Sequence, residues 1–173
     1  MFLTILTRAY KRPFMLEVNR RSLEAQTCQS FEQIILRDET GIGIPAANVL
    51  FRTQDCNGDY CWVFDDDEDI TDITFIEQIK TLAQLHNPEV IVAPSERGEE
   101  GYIGINSEMK RGNIGGGNLI VRKDIWMKYR SAWGNQYAGD WDFLKAMIDG
   151  GVKFLRFKDL MLKAQRVSRG AAE

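Results

Sequence analysis

Tyr60-Cys61-Trp62-Val63-Phe64-Asp65-Asp66-Asp67-Glu68-Asp69 is the stretch on which the reading of the whole chain turns. An uninterrupted apolar run suits a buried strand, and here it breaks into five consecutive acids. Packing asks for one polar residue at a strand end, whereas neighbouring carboxylates repel unless something cationic offsets them. A divalent ion held by oxygen ligands does this most economically. The run therefore reads as a metal site at the C-terminal edge of a sheet. The plainer alternative is a solvated strand end followed by a helix start, with Asp69, Thr71 and Asp72 complementing the dipole of a helix from Ile73.

Outward from this strand, apolar segments alternate with helical patterns. Phe2–Thr7, Phe31–Leu36 and Glu89–Ala93 read as further strands. A helix follows Arg12-Pro13, with Phe14, Leu16, Val18, Leu23 and Ala25 on its apolar side. A short helix spans about Ala46–Thr53, and Ile73, Ile76, Ile79, Leu82 and Leu85 mark an amphipathic helix that His86 is expected to close. Such alternation predicts an α/β fold with a largely parallel sheet, helices on both faces, and ligands outside the C-terminal strand ends. Thr7-Arg8, Asp38 and Asp65–Asp67 all fall at such ends and should share a cleft.

The second half is less regular. Pro94–Gly112 reads as a long loop suited to a lid, in which Arg97, Lys110 and Arg111 would meet an anion. Gly115-Gly116-Gly117 reads as a tight turn into a strand, because no helix N-terminus follows it. Asp124 is expected to cap an aromatic-rich helix, Gly139-Asp140-Trp141-Asp142 opens another through Ile148, and the tail from Lys163 is basic. Trp126, Tyr129, Trp133 and Trp141 read as packing residues, with Trp133 the best candidate for stacking on a sugar.

Composition limits the functions available. The 173 residues, 44% hydrophobic and 27% charged, suit one soluble domain, and the formal charge of -3 argues against a general nucleic-acid binder. Cys28, Cys56 and Cys61 lack metal-ligand spacing and His86 is the single histidine, so a zinc set is not expected and a reducing cytoplasm is. Met1–Leu6 is too short an apolar stretch for a signal peptide or membrane span, so any membrane association is expected to be peripheral.

Four landmarks arrive in order: Thr7-Arg8-Ala9-Tyr10-Lys11-Arg12-Pro13, Ile34-Ile35-Leu36-Arg37-Asp38, Gly58-Asp59-Tyr60 leading into Phe64-Asp65-Asp66-Asp67, and Gly139-Asp140-Trp141-Asp142-Phe143-Leu144. Together they resemble glycosyltransferase family 2, across nearly the whole chain. The resemblance implies a single Rossmann-like domain of the nucleotide-sugar-binding A type (GT-A) over 1–173, with a nucleotide-binding half to about 93, an acceptor-side half over about 94–165, and a basic tail over 166–173. It implies an inverting, metal-dependent transfer from a nucleotide-diphosphate sugar, a UDP- or GDP-sugar, to a hydroxyl of a glycan, lipid-linked sugar or other acceptor. A second subunit, as in a homodimer, is one way to complete acceptor recognition.

By the same resemblance Thr7, Ala9, Tyr10, Arg12, Asp38, Asp65 and Asp66 bind the donor. The Asp-x-Asp element falls on Asp65 and Asp67, with Asp67 the direct ligand of Mn2+ or Mg2+, Asp65 nearer the ribose, and Asp66 and Glu68 in the outer shell. The base that deprotonates the acceptor is Asp140 or Asp142, both near a helix start that favours the ionised form. Three departures from the pattern stand out: Gly139 for Glu ahead of Asp140, Lys11 for Asn, and Arg37 for Asp.

Competing classes explain the same acids less well. Asp67-Glu68-Asp69-Ile70-Thr71 matches the letters of a haloacid-dehalogenase phosphatase, but on the wrong strand. A calcium loop lacks its glycine at Ile70 and its Glu at Ile76. A nucleotidyltransferase would need a glycine-rich turn where Arg8-Ala9-Tyr10-Lys11 stands. A member that binds sugar nucleotides without turnover is the non-enzymatic alternative.

Overall fold

A computed structural model describes residues 1–37, 44–96, 102–103, 108–136, 139–157 and 162–164, with backbone alone for 44–47, 102–103 and 162–164. Strands β1 (Leu3–Ala9), β2 (Phe31–Arg37), β3 (Tyr60–Val63), β5 (Val90–Val92), β8 (Leu119–Arg122) and β9 (Phe154–Arg156) form a six-stranded sheet in the order β2-β1-β3-β8-β5-β9. β1 runs parallel to β2 and β3, and β5 runs parallel to β9, while β8 is antiparallel to both of its neighbours. The sheet is thus parallel except for one reversed strand at its centre. Leu3 is in register with both Phe31 and Tyr60, which brings the ends of β1, β2 and β3 to one edge.

Strand alternation sorts the core into two layers. Leu3, Ile5, Tyr60, Trp62 and Phe64 face one side, where they meet α1 (Pro13–Glu24) through Leu23 and α3 (Phe75–His86) through Phe75, Ile76, Ile79, Leu82 and Ala83. Leu6, Cys61 and Val63 face the other, against Phe51 of α2 (Ile44–Thr53), Ile125 and Trp126 of α4 (Lys123–Tyr129), and Phe143, Leu144 and Met147 of α5 (Gly139–Asp149). Helices therefore cover both faces, which is the arrangement that strand-helix alternation predicts. No described helix is long and apolar enough to cross a membrane.

Several local expectations are corrected. On α1 the buried stripe is Met15, Leu16, Asn19 and Leu23, a three-to-four-residue spacing whose phase leaves Phe14 exposed. α3 starts at Phe75, not Ile73. Ile73 and Leu85 are exposed, and Asp72 instead braces the entry by accepting from the Thr74 N–H at 2.8 Å. The Thr74 hydrogen bonds hold the Asp72 carboxyl below its ordinary pKa. Asn87, left-handed at φ +42°, closes α3 by donating its N–H to the Ala83 carbonyl at 2.9 Å, the part expected of His86. Asp124 lies inside the first turn of α4 and pairs with Arg122 instead of capping the helix. Asp69, expected at a helix start, is in a strand. β4 (Glu68–Asp69), β6 (Ser95–Glu96), β7 (Tyr102–Ile103) and β10 (Leu162–Ala164) make a small second sheet in the order β4-β10-β6-β7, so part of the expected loop and of the tail is paired strand. Residues 97–101 and 104–107 of that loop lie outside the described residues.

Candidate active site at the carboxyl edge of the sheet

β1 and β3 end side by side, and what they deliver there is a set of interlocked charges. Arg8, next to last in β1, grips Asp65 with two nitrogens, its Nε lying 2.7 Å from Asp65 Oδ1. Its third nitrogen, Nη1, donates to Asn48 Oδ1 at 2.7 Å, and the guanidinium lies 5.5 Å from the Phe51 ring centre. Arg12 pairs through Nη1 with Asp67 Oδ2 at 2.6 Å and through Nη2 with Asp66 Oδ1 at 2.5 Å. Burial alone would lower the pKa of each arginine. Asp65 outweighs it for Arg8, with help from Asp140 and Asp67, and Asp67 and Asp66 outweigh it for Arg12, so both are held charged.

The acids differ from one another in role. Asp66 has a fully buried side chain whose Oδ2 accepts from the Tyr10 N–H at 3.2 Å. Burial raises its pKa to about 6, against the pull of Arg12 and the Tyr10 N–H and with the push of Asp65 and Asp67. Asp65 and Asp67 remain partly exposed. Glu68 turns back so that its Oε2 accepts from the Asp65 N–H at 3.0 Å, and its carboxylate occupies the space that a side chain at Gly117 would need. The first four acids of the run are therefore split: Asp66 buried, Glu68 folded back, and Asp65 and Asp67 at the cleft surface.

A buried polar lattice holds this loop from below. Asn19 of α1 donates to the carbonyls of Asp65 and Glu68, both at 2.9 Å, and accepts from Gln33, which also donates to the Thr7 hydroxyl at 2.8 Å. Thr7 is fully buried, whereas Ala9 and Tyr10 are half-buried at the strand end. Asp38 lies outside the described residues.

Across the edge, the reversed strand β8 begins at the cleft with a 3-10 turn, Gly116–Asn118. The Gly116 N–H donates to Asp140 Oδ2 at 2.9 Å, and Asp140 Oδ1 accepts from the Trp141 N–H at 3.0 Å. Asp140 is close enough to Arg8 to help hold it charged. Asp142 is turned elsewhere. A methyl group placed on Gly134 would lie 2.2 Å from its Oδ2, so its carboxylate packs on the 134–139 loop. Trp133 is a packing residue, as read: it is 1% exposed and stacked on Phe143 with ring centres 5.0 Å apart, which leaves it unavailable for the alternative of stacking on a sugar.

A divalent cation would find hard carboxylate oxygens here but no ready cage. Among the described residues no three His, Cys, Asp or Glu groups are gathered to hold a metal, and Arg8 occupies both Asp65 oxygens. Asp67 meets Arg12 through Oδ2 alone. A single free carboxylate oxygen fits a cation that arrives with a diphosphate, since such ions take one or two protein carboxylates and complete their shell with phosphate and water.

Asn19 and Asn48 are the site residues that sequence reasoning missed; Arg8 was expected in the cleft, but not its grip on Asp65. Asn19 carries a signal, since it interrupts the apolar stripe Met15, Leu16, Leu23. Asn48 carries none without the fold, because its partners lie 40 and 88 residues away.

No family model matches the chain, and no curated protein matches it. Solved structures do. S. aureus TarS 1-349 in complex with UDP-GlcNAc superposes with a TM-score of 0.74 at 13% identity, over 99% of this chain and 60% of that one. The complex of the same TarS fragment with UDP gives 0.70 at 12% identity, over 95% and 60%. The mannosyltransferase PcManGT from Pyrobaculum calidifontis, in complex with GDP-Man and Mn2+, gives 0.64 at 11% identity, over 97% and 58%. The chain spans about three-fifths of each of these structures. It has their fold, a GT-A-like glycosyltransferase fold built on a mostly parallel sheet.

Proposed function

We propose that this chain is a glycosyltransferase domain of family 2 that moves a sugar from a nucleotide-diphosphate donor to an acceptor hydroxyl, with metal dependence and inversion at the anomeric carbon. The observation that carries the reading is the meeting, at one sheet edge, of the Asp65–Asp67 loop and the Asp140 helix start, in a fold shared with structures that bind UDP-GlcNAc and GDP-Man. The donor is a UDP- or GDP-sugar bound by the nucleotide half, about 1–93, through Thr7, Ala9, Tyr10, Arg12, Asp38, Asp65 and Asp66. The acceptor-side half, about 94–165, receives a glycan, lipid-linked sugar or other hydroxyl, with a homodimer completing it if one forms. The three free cysteines suit a reducing cytoplasm.

Asp67 would hold the Mn2+ or Mg2+ that accompanies the diphosphate, and bound there the ion supplies Lewis-acid stabilisation of the leaving group. Arg12, paired with Asp67 and Asp66, stands where an incoming diphosphate competes for its guanidinium. Arg8 keeps Asp65 oriented through its two-nitrogen grip. Asp140 Oδ2, held by the Gly116 N–H, takes the proton of the attacking hydroxyl. Among the described residues one base and no nucleophilic side chain stand opposite the donor acids, an arrangement that suits a single displacement and inversion.

The test is a thermal-shift panel of UDP and GDP with and without Mn2+, followed by turnover of UDP-GlcNAc and GDP-Man read as nucleoside diphosphate release. Asp140→Asn should keep nucleotide binding and lower turnover by about 10²–10⁴-fold, while Asp142→Asn changes it little. Asp67→Asn should abolish the Mn2+ requirement for binding. No metal-dependent shift with either nucleotide overturns the reading, and loss of turnover in Asp142→Asn alone moves the base to that residue.

A further inference from the structure

We infer that Asn48 is a positioning residue that ties the donor-side acids to the helix carrying Asp140, an inference that rests on the transferase reading above. Asn48 is 1% exposed in α2, and each end of its amide is used across the cleft. Its Oδ1 accepts from Arg8 Nη1 at 2.7 Å, and Arg8 in turn grips Asp65 with its remaining nitrogens. Its Nδ2 donates to the Gln136 carbonyl at 3.0 Å, in the segment that leads into Gly139 and Asp140. The chain Asp65–Arg8–Asn48–Gln136 is thus continuous from one wall of the cleft to the other.

Two further features show that the amide is fixed in this pose. A flip of the amide would set its carbonyl against the Gln136 carbonyl and its N–H groups against the guanidinium, so only one orientation satisfies both partners. The space beside Gly139, where a side chain would stand, is filled by Asn48 Nδ2, 2.8 Å from the position of a Cβ there. One turn along α2, Arg52 Nε donates to the Trp133 carbonyl at 2.6 Å, so the same helix holds the 133–136 segment twice. Among the described residues Arg52 bonds no donor-side acid, whereas Asn48 bonds both sides. A displacement of about 1 Å between reacting groups is worth about 10²-fold in rate, so a tie of this kind acts on turnover more than on binding.

Two substitutions separate the arms. Asn48→Ala removes both bonds, whereas Asn48→Asp keeps the shape and the acceptor for Arg8 but sets an oxygen against the Gln136 carbonyl. Both are compared with wild type and Arg52→Ala for Tm, calorimetric UDP and GDP affinity with Mn2+, kcat and KM for UDP-GlcNAc or GDP-Man, whichever the wild type turns over, and hydrogen exchange in 139–149. Asn48→Ala and Asn48→Asp should each lower kcat by about 10²-fold with KM within about threefold, and nucleotide should no longer slow exchange at the start of α5. Arg52→Ala should keep that nucleotide-dependent protection. Wild type that binds neither nucleotide overturns the transferase reading, and this inference with it. Wild type that turns over donor while Asn48→Asp keeps full kcat, or while both Asn48 variants lose kcat only in proportion to the unfolded fraction, overturns the positioning role alone.

Discussion

Asp66 is the acid of the run whose side chain is fully buried, and its effect on the fold is measurable. Its native pKa of about 6 stands above the ordinary 3.8, so between these values the folded chain binds a proton that the unfolded chain has released. The contribution is fully present below pH 4 and is lost as pH rises through 6, by up to about 3 kcal/mol. Urea denaturation from pH 4 to 7 should show this slope in wild type and its loss in Asp66→Asn; matching slopes would show that Asp66 titrates normally. Lys11 shows the opposite economy. It holds φ at +52°, the left-handed region that asparagine tolerates better than other residues with a side chain, which gives a physical reason for asparagine at that place in the family it resembles. Its ammonium lies 5.1 Å from the Tyr10 ring centre and recovers part of the strain. Lys11→Asn should therefore stabilise by about 0.5 kcal/mol and raise Tm by about 1–2 °C in calorimetry.

Among elements, the approach to α5 explains the remaining departure from the family pattern. A side chain at Gly139 would stand 2.2 Å from the Gly134 carbonyl oxygen as well as against Asn48, so this loop has no room for the glutamate that the pattern carries. Gly139→Glu should lose about 1–3 kcal/mol by overpacking and gain no turnover, checked by thermal denaturation and nucleotide release. The boundaries of β1, β2 and β3 were legible because apolar runs ending in charge have few other interpretations, and the acid-tipped strand was legible for the same reason. The stripe of α3 was extended too far at both ends: a three-residue spacing drifts around a helix of 3.6 residues per turn until Leu85 falls on the solvent side, and Ile73 precedes the first turn. The two- and three-residue strands of the second sheet left no periodicity to find. The arginine clamp was hidden for a different cause: Arg8 and Asp65 are 57 residues apart, and only the parallel register of β1 with β3 makes them neighbours.

For the molecule as a whole, the scarcity of free carboxylate oxygens sets the order of assembly. Mn2+ alone should bind weakly, because Arg8 and Arg12 already neutralise the oxygens it needs, and nucleoside diphosphate should tighten it by supplying the rest of the shell. Titration of Mn2+ by calorimetry with and without UDP or GDP measures this coupling directly; equal affinity in both would contradict it. At a nucleotide concentration of about 100 Kd the complex should gain about 2.7 kcal/mol, or roughly 5–10 °C in Tm.

Because β8 runs against its neighbours, the chain leaves the sheet after β5 and re-enters it through the Gly116–Asn118 turn on the same edge. Both connections open on the cleft side, so the span between Val92 and Leu119 behaves as a splice point. Residues exchanged there leave the register of β1, β2 and β3 in place, and under the proposed function they change what faces the acceptor. Loop grafts between proteins of this fold are therefore best cut at those two positions.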